Sequence, residues 1–199
     1  MSIHDASYII RSFAHYVSYI GHNNKMINLI TKLSMDHSED FFNQNIEQIR
    51  NSENKQLIFF AMCMFNQNLS LIKQMVEQMK CDPNLITKMG HSCLSLALIH
   101  NKNLEVIKYL IEDCKSDVTF THRSAQTSCL MFACMDQNLD VIKYLIKECG
   151  LDVDQINTTG CTCLTYACTN NPDLSVIRYL IEECKLDPHY RDKTGATYL

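Results

Sequence analysis

Between residues 173 and 184 the chain reads DLSVIRYLIEEC, with Leu174, Ile177, Leu180 and Ile181 at i, i+3, i+6 and i+7. That spacing predicts a helix with one apolar face, and Val176 widens the face beyond a single contact stripe. Asn171-Pro172 ahead of it reads as an N-cap followed by proline at the first helical position. The same pattern stands at 103–114 (NLEVIKYLIEDC) and 138–149 (NLDVIKYLIKEC), with a weaker copy at 68–79 (NLSLIKQMVEQM). A shorter apolar segment precedes each copy, such as TCLTYACTN at 162–170. Thr162 reads as its N-cap, with Leu164 and Ala167 facing inward. About ten polar residues follow each longer helix, as in LDPHYRDKTG at 186–195, where Asp, Pro and a closing Gly suit tight turns.

The spacing between copies is regular. Leu69, Leu104, Leu139 and Leu174 stand 35 residues apart, as do Asp82, Asp117, Asp152 and Asp187, and Gly90, Ala125, Gly160 and Gly195. The register slips once, near SAQTSCLMFA, where a residue is gained and then lost before Asn138. A period in this range marks a stacked repeat protein, in which each unit buries its apolar face only against its neighbours.

Thr162-Cys163-Leu164-Thr165-Tyr166-Ala167 and Val176-Ile177-Arg178-Tyr179-Leu180-Ile181 carry the pattern further. They resemble the two helices of the ankyrin repeat, the first opening Thr-Pro-Leu-His-x-Ala and the second carrying Val-Val-x-x-Leu-Leu. Asn157-x-x-Gly160 and Asp192-x-x-Gly195 resemble the turn that precedes each unit of that family. The resemblance covers about 54–199. It implies an all-α solenoid of stacked antiparallel helix pairs with short hairpin-like turns, in units at about 54–89, 90–124, 125–159 and 160–194, plus the start of another at 195–199. The period is 35 rather than the family's 33. Cys93, Cys129 and Cys163 stand where the family has Pro, and Ser95, Met131 and Thr165 replace its His. These departures predict looser helix entries than in an ideal array.

Residues 1–53 lack the motif. Ile9, Ile10, Phe13, Val17 and Ile20 have helical spacing, as do Phe41, Phe42, Ile46 and Ile49, and KMINLITKL at 25–33 resembles a worn second helix. The segment reads as a helical cap or degenerate repeats; a separate adaptor motif, recruiting machinery such as a ubiquitin ligase, is the alternative. Thr197-Tyr198-Leu199 would open a further first helix and leave the stacking face of 160–194 uncovered, so the chain reads as a segment of a longer array or a truncated reading frame, monomeric or part of a longer repeat chain.

Composition narrows the function. A net charge of −4 without a basic block argues against nucleic acid, which requires clustered Lys and Arg. No apolar run approaches 18 residues, which argues against a membrane span. Eleven cysteines, an odd number without an export signal, point to a reducing cytoplasmic or nuclear compartment. Cys93, Cys129 and Cys163 share one repeat position, Cys134 and Cys168 a second, and Cys114, Cys149 and Cys184 a third. Recurrence of this kind reads as packing. The alternative is a metal or thiol activity built on Cys161, Cys163 and Cys168, whose C-x-C spacing matches zinc sites poorly. No cofactor motif is present and no nucleophile–base arrangement is evident, so the chain reads as a non-enzyme with no cofactor.

A protein partner is therefore expected, and the resemblance implies contact through turn tips and the exposed side of the first helix. Phe60, Leu96, Phe132 and Tyr166 occupy one first-helix position and would form an apolar ladder, read either as packing or as a contact ridge. In the most divergent turns the candidates are Phe120, His122, Arg123, Gln155, His189, Tyr190 and Arg191. Lys108, Lys143 and Arg178 read as a solvated helix face with i,i+3 pairs.

Overall fold

A computed structural model describes residues 24–193 together with Gly195 and Thr197. The sequence expectations for Ile9 to Ile20, and for Tyr198 and Leu199, lie outside these residues. Eleven α-helices are described: α1 Asn24–Met35, α2 Glu39–Gln44, α3 Ile46–Arg50, α4 Lys55–Phe65, α5 Leu69–Glu77, α6 Cys93–His100, α7 Leu104–Lys108, α8 Cys129–Asp136, α9 Leu139–Lys147, α10 Cys163–Asn170 and α11 Leu174–Glu182. A π-helical turn over Tyr109–Asp113 extends α7. The only strands among the described residues are β1 Thr121–His122 and β2 Thr127–Ser128, paired antiparallel with Thr121 opposite Ser128. The described residues divide into two compact units, one of 24–97 and 105–116, the other of 98–104 and 117–193.

In the second unit α8 packs against α10, and each shorter helix packs against the longer one that follows it, α8 on α9 and α10 on α11. Leu130, Ala133, Cys134, Val141, Ile142 and Leu145 are buried between them. Thr162 caps α10 as expected. Its hydroxyl accepts the Thr165 N–H at 3.2 Å, and the Thr165 hydroxyl accepts the Thr162 N–H in return. This reciprocal cap occupies the helix entry that the family's His position led us to expect loose. Leu164 and Ala167 are buried, also as expected.

The start of α11 differs from the sequence reading. Its N-cap is Asp173, which accepts the Ser175 N–H at 2.9 Å. Asn171 instead closes α10 and bonds back into the preceding repeat. Its Nδ2 donates to Cys134 O (3.1 Å) and Gln137 O (2.9 Å), and its Oδ1 accepts the Asp173 N–H (2.9 Å). Leu174 is also a correction, because it is 73% exposed where periodicity placed it inward. Its counterpart Leu139 is half-buried, and Ile142 is fully buried where Ile177 is only half so. Periodicity tells which residues share a face; the α10–α11 pair that follows α8–α9 is what covers that face.

The first unit uses the same device. Asn66, at the end of α4, donates from Nδ2 to Leu33 O (2.8 Å) and Asp36 O (3.1 Å) at the end of α1, and accepts the Asn68 N–H. α1 packs against α4 as α8 packs against α10. By position α1 is therefore a first helix and not the worn second helix that KMINLITKL suggested. The second-helix place goes to α2 and α3, broken at Asn45, with Phe42 and Ile49 buried.

The 35-residue aspartates have one job. Asp82, Asp117, Asp152 and Asp187 each accept, through Oδ1, the backbone N–H two residues on, at 2.8–3.0 Å. These Asx turns redirect the chain after each longer helix. The residue between helix and Asx turn is left-handed in every copy: Lys80 (φ 55°), Lys115 (φ 56°), Gly150 (φ 68°) and Lys185 (φ 63°). A lysine there carries a Cβ penalty that glycine lacks, on the order of 1 kcal/mol. Lys115→Gly is therefore expected to raise stability by about 0.5–1 kcal/mol, read as a higher urea midpoint at unchanged slope. The register slip also resolves. The left-handed turn residue of the third copy is Gln126 (φ 52°), one place after Ala125, where the flanking copies use Gly90 and Gly160.

Candidate functional site: the turn tips

The turns stand on buried supports. Tyr166 of α10 is half-exposed, and its hydroxyl lies 3.2 Å from Thr127 Oγ1 and accepts from Asn157 Nδ2 at 3.1 Å. It ties two successive turns to one first helix. Asn157 Oδ1 in turn accepts the Thr159 and Cys161 N–H groups (3.0 and 2.9 Å). Thr158 N–H donates to Ala125 O at 2.9 Å, and Lys193 Nζ donates to Thr158 O at 2.7 Å. All of these bonds lie within the second unit.

Phe60, Leu96 and Phe132 do not form a contact ridge. They are 1%, 3% and 7% exposed, so of the four ladder residues only Tyr166 offers surface. At Phe132 the reason is local: a turn residue packs on it. The His122 and Phe132 rings meet edge to face, with centroids 6.0 Å apart at 88°, and His122 Nδ1 lies 2.9 Å from Ser124 Oγ.

The turn candidates fare differently. Arg123, Gln155, His189 and Arg191 are exposed, while Phe120, His122 and Tyr190 are half-buried. Phe120 O accepts from the buried Cys129 thiol at 3.5 Å, and Arg191 Nη1 donates to Gly195 O at 2.9 Å. Tyr190 meets Asp154, Ile156, Thr162, Leu186 and Asp187 around one cleft.

Sequence reasoning missed the apolar tips. Leu85, Ile86 and Met89 are 45%, 38% and 41% exposed on one turn of the first unit, and Ile156 is 54% exposed on a turn of the second. The signal was present: Leu85 shares its repeat position with Phe120, Gln155 and Tyr190, and Ile86 shares the next with Ile156. Three large apolar residues exposed within five positions of one turn are more than the scattered single ones a surface ordinarily carries.

On the longer helices, Lys143 and Lys147 lie 5.6 and 5.9 Å from the Tyr179 ring centroid, and Lys73 lies 5.2 Å from that of Tyr109. Lys108 keeps the expected i,i+3 pair with Glu105 at 3.4 Å.

The cysteines are all free thiols. Cys134 meets Cys163 in the second unit, and that thiol contact, with burial, pushes the Cys134 thiol well up. Burial, together with contact to Cys63, does the same to Cys93, and burial takes Cys129 to about 12. Such thiols stay protonated at neutral pH and are poor nucleophiles. Alkylation at pH 7.4 is expected to reach Cys93, Cys129 and Cys134 only through unfolding, roughly a thousandfold slower than half-exposed Cys161. Uniform fast labelling of the folded chain, read by mass spectrometry, would contradict that assignment. Among the described residues no three His, Cys, Asp or Glu side chains converge on a metal position. Among them, too, no helix is long and apolar enough to cross a membrane.

These features define a class: helix pairs repeated in register, joined through buried amides, with turns held outward. Residues 114–194 match the family model for ankyrin repeats in three copies. A chain from the solved complex of the Bd0816 predatory endopeptidase from Bdellovibrio bacteriovorus with immunity protein Bd3460 is similar in fold. It has a TM-score of 0.61 at 18% identity, over 85% of this chain and 87% of that one. Comparison with curated protein sequences gives no match.

Proposed function

We propose that this chain is a non-catalytic interaction module that holds a protein partner by its turn tips. One observation carries the reading: large apolar side chains stand in solvent on the turns, while the apolar faces between the helices of each unit are buried. Exposed apolar side chains on a hydrogen-bonded support bind with little ordering cost, since the turn is already held in place. The match of residues 114–194 to ankyrin repeats supports the reading. So does the likeness to a chain found in an enzyme–immunity protein complex, where two proteins are held together.

The test is affinity capture by the full chain, with a Leu85→Ser, Ile86→Ser, Met89→Ser triple variant and an Ile156→Ser variant beside it. Capture is expected to fall about tenfold in at least one of them, at unchanged helicity, because apolar anchors dominate interface energetics. A Glu183→Gln change on the exposed end of α11 is expected to leave capture intact. Equal capture by all four proteins would remove the turn-tip reading.

A further inference from the structure

In the second unit, a cleft of about 140 Å³ opens between the turn at 152–156 and the last turn at 186–190. Small-molecule pockets run to roughly 300–1,000 Å³, so this one suits a single long side chain rather than a cofactor. A neighbouring hollow over Leu164, Cys168 and Pro188 holds only about 10 Å³, too little for any side chain.

The lining of the larger cleft is mixed in a specific way. Two aliphatic residues, Ile156 and Leu186, the aromatic Tyr190, Thr162 and two acidic residues, Asp154 and Asp187, line it. Among the described residues neither carboxylate is in an ion pair. Asp187 spends Oδ1 on the His189 N–H at 2.8 Å. The Asx turn ahead of Asp154 is closed by Asp152 Oδ1, which leaves the Asp154 carboxylate out of it. The neighbouring cations are engaged elsewhere: Lys193 Nζ with Thr158 O at 2.7 Å, Lys185 Nζ with Glu182 O at 2.6 Å, and Arg191 Nη1 with Gly195 O at 2.9 Å. Aliphatic residues, a ring and two carboxylates without a cation form the complement of a basic side chain on an alkyl stem.

We infer that this cleft receives an arginine side chain of the partner protein. The alkyl stem lies between Ile156 and Leu186, and the guanidinium sits between Asp154 and Asp187 against the Tyr190 ring. Arginine fits better than lysine, because a planar guanidinium stacks on a ring while bonding two acceptors, which a compact ammonium does not. The inference rests on the interaction reading above and names one chemical requirement of the partner.

The test is a side-chain NMR titration of the full chain with N-acetyl-arginine methylamide, and with the lysine and norleucine analogues. The arginine probe is expected to shift the Ile156 methyl and Tyr190 ring signals saturably. The lysine probe should bind more weakly, and the norleucine probe should give no saturation. Asp154→Asn, an exposed change, and Asp187→Asn, which keeps the Asx acceptor, should each weaken the arginine response about threefold, as should 0.5 M salt. No saturable shift, an equal response to norleucine, or full binding by both variants would overturn the inference. Turn-tip variants that lose capture while the arginine response is absent would overturn this inference alone. Capture indifferent to the turn tips would overturn the interaction reading itself.

Discussion

Replacing Asn171 with alanine is expected to destabilise the chain by about 3 kcal/mol, the largest loss we assign to any single polar side chain here. Asn171 is 7% exposed and makes three side-chain hydrogen bonds, two to the carbonyls of Cys134 and Gln137 and one from the Asp173 N–H. Each is worth about 1 kcal/mol, and removing the amide leaves buried carbonyls without a donor, which costs more than the bond alone. Asn171→Asp is the sharper experiment. Aspartate keeps the shape and still accepts from Asp173, but turns an acceptor toward two carbonyl oxygens. It is expected to be as damaging as alanine at neutral pH. Part of the loss should return as the carboxyl protonates in acid and can donate once more. Urea unfolding of the three proteins checks this, and losses under about 1 kcal/mol in both variants would mean that the amide bridge does not hold the joint.

Gly160→Ala is expected to cost about 2 kcal/mol or more. Gly160 sits at φ +90°, where side chains with a Cβ are disfavoured by on the order of 1–2 kcal/mol. A Cβ there would also meet Lys193 N at 2.8 Å, a backbone atom of the next turn that cannot swing aside. Gly150 separates the two effects. It is also left-handed, at φ +68°, but a Cβ would meet nothing within 4 Å. Gly150→Ala should therefore cost only about 1 kcal/mol. The difference between the two alanine variants, measured by urea midpoint, isolates the close approach of successive turns. Equal losses would show that only backbone strain is at work.

These residues also show how far the chain could be read without coordinates. The recurring aspartates, the glycine turns and the Thr162 cap were legible, because each satisfies a local backbone requirement within four residues. The stacked helix pairs were legible from the 35-residue period. Asn171 was misread, since its partners Cys134 and Gln137 lie more than 30 residues away and an Asn-Pro pair resembles a helix start. The α1 segment was misread for a similar reason. Which helix of a pair it represents depends on what it packs against, and its seat on α4 and the Asn66 bridge reveal that. Leu174 looked buried because periodicity does not say which edge of an apolar stripe faces solvent; its counterparts Leu69, Leu104 and Leu139 are only half-buried too. At the turns, Tyr190 and Gln155 were singled out by their divergence, and the structure places Gln155 in solvent and Tyr190 half-buried. Leu85, Ile86, Met89 and Ile156 were passed over because apolar residues ordinarily signal a core, and only exposure shows them on a tip. The ladder of Phe60, Leu96 and Phe132 failed as a surface for the converse reason: the three side chains are buried, Phe132 with the His122 ring of a turn against it.

The account depends on successive helix pairs being seated directly on one another, with α8 against α10. The most direct measurement is the nuclear Overhauser effect between the β-protons of Cys134 and Cys163, whose thiols meet at that joint. A strong cross-peak, together with slowed exchange of the Asn171 side-chain amide protons, is the predicted result. An absent cross-peak with amide protons exchanging as freely as in a short peptide would contradict it.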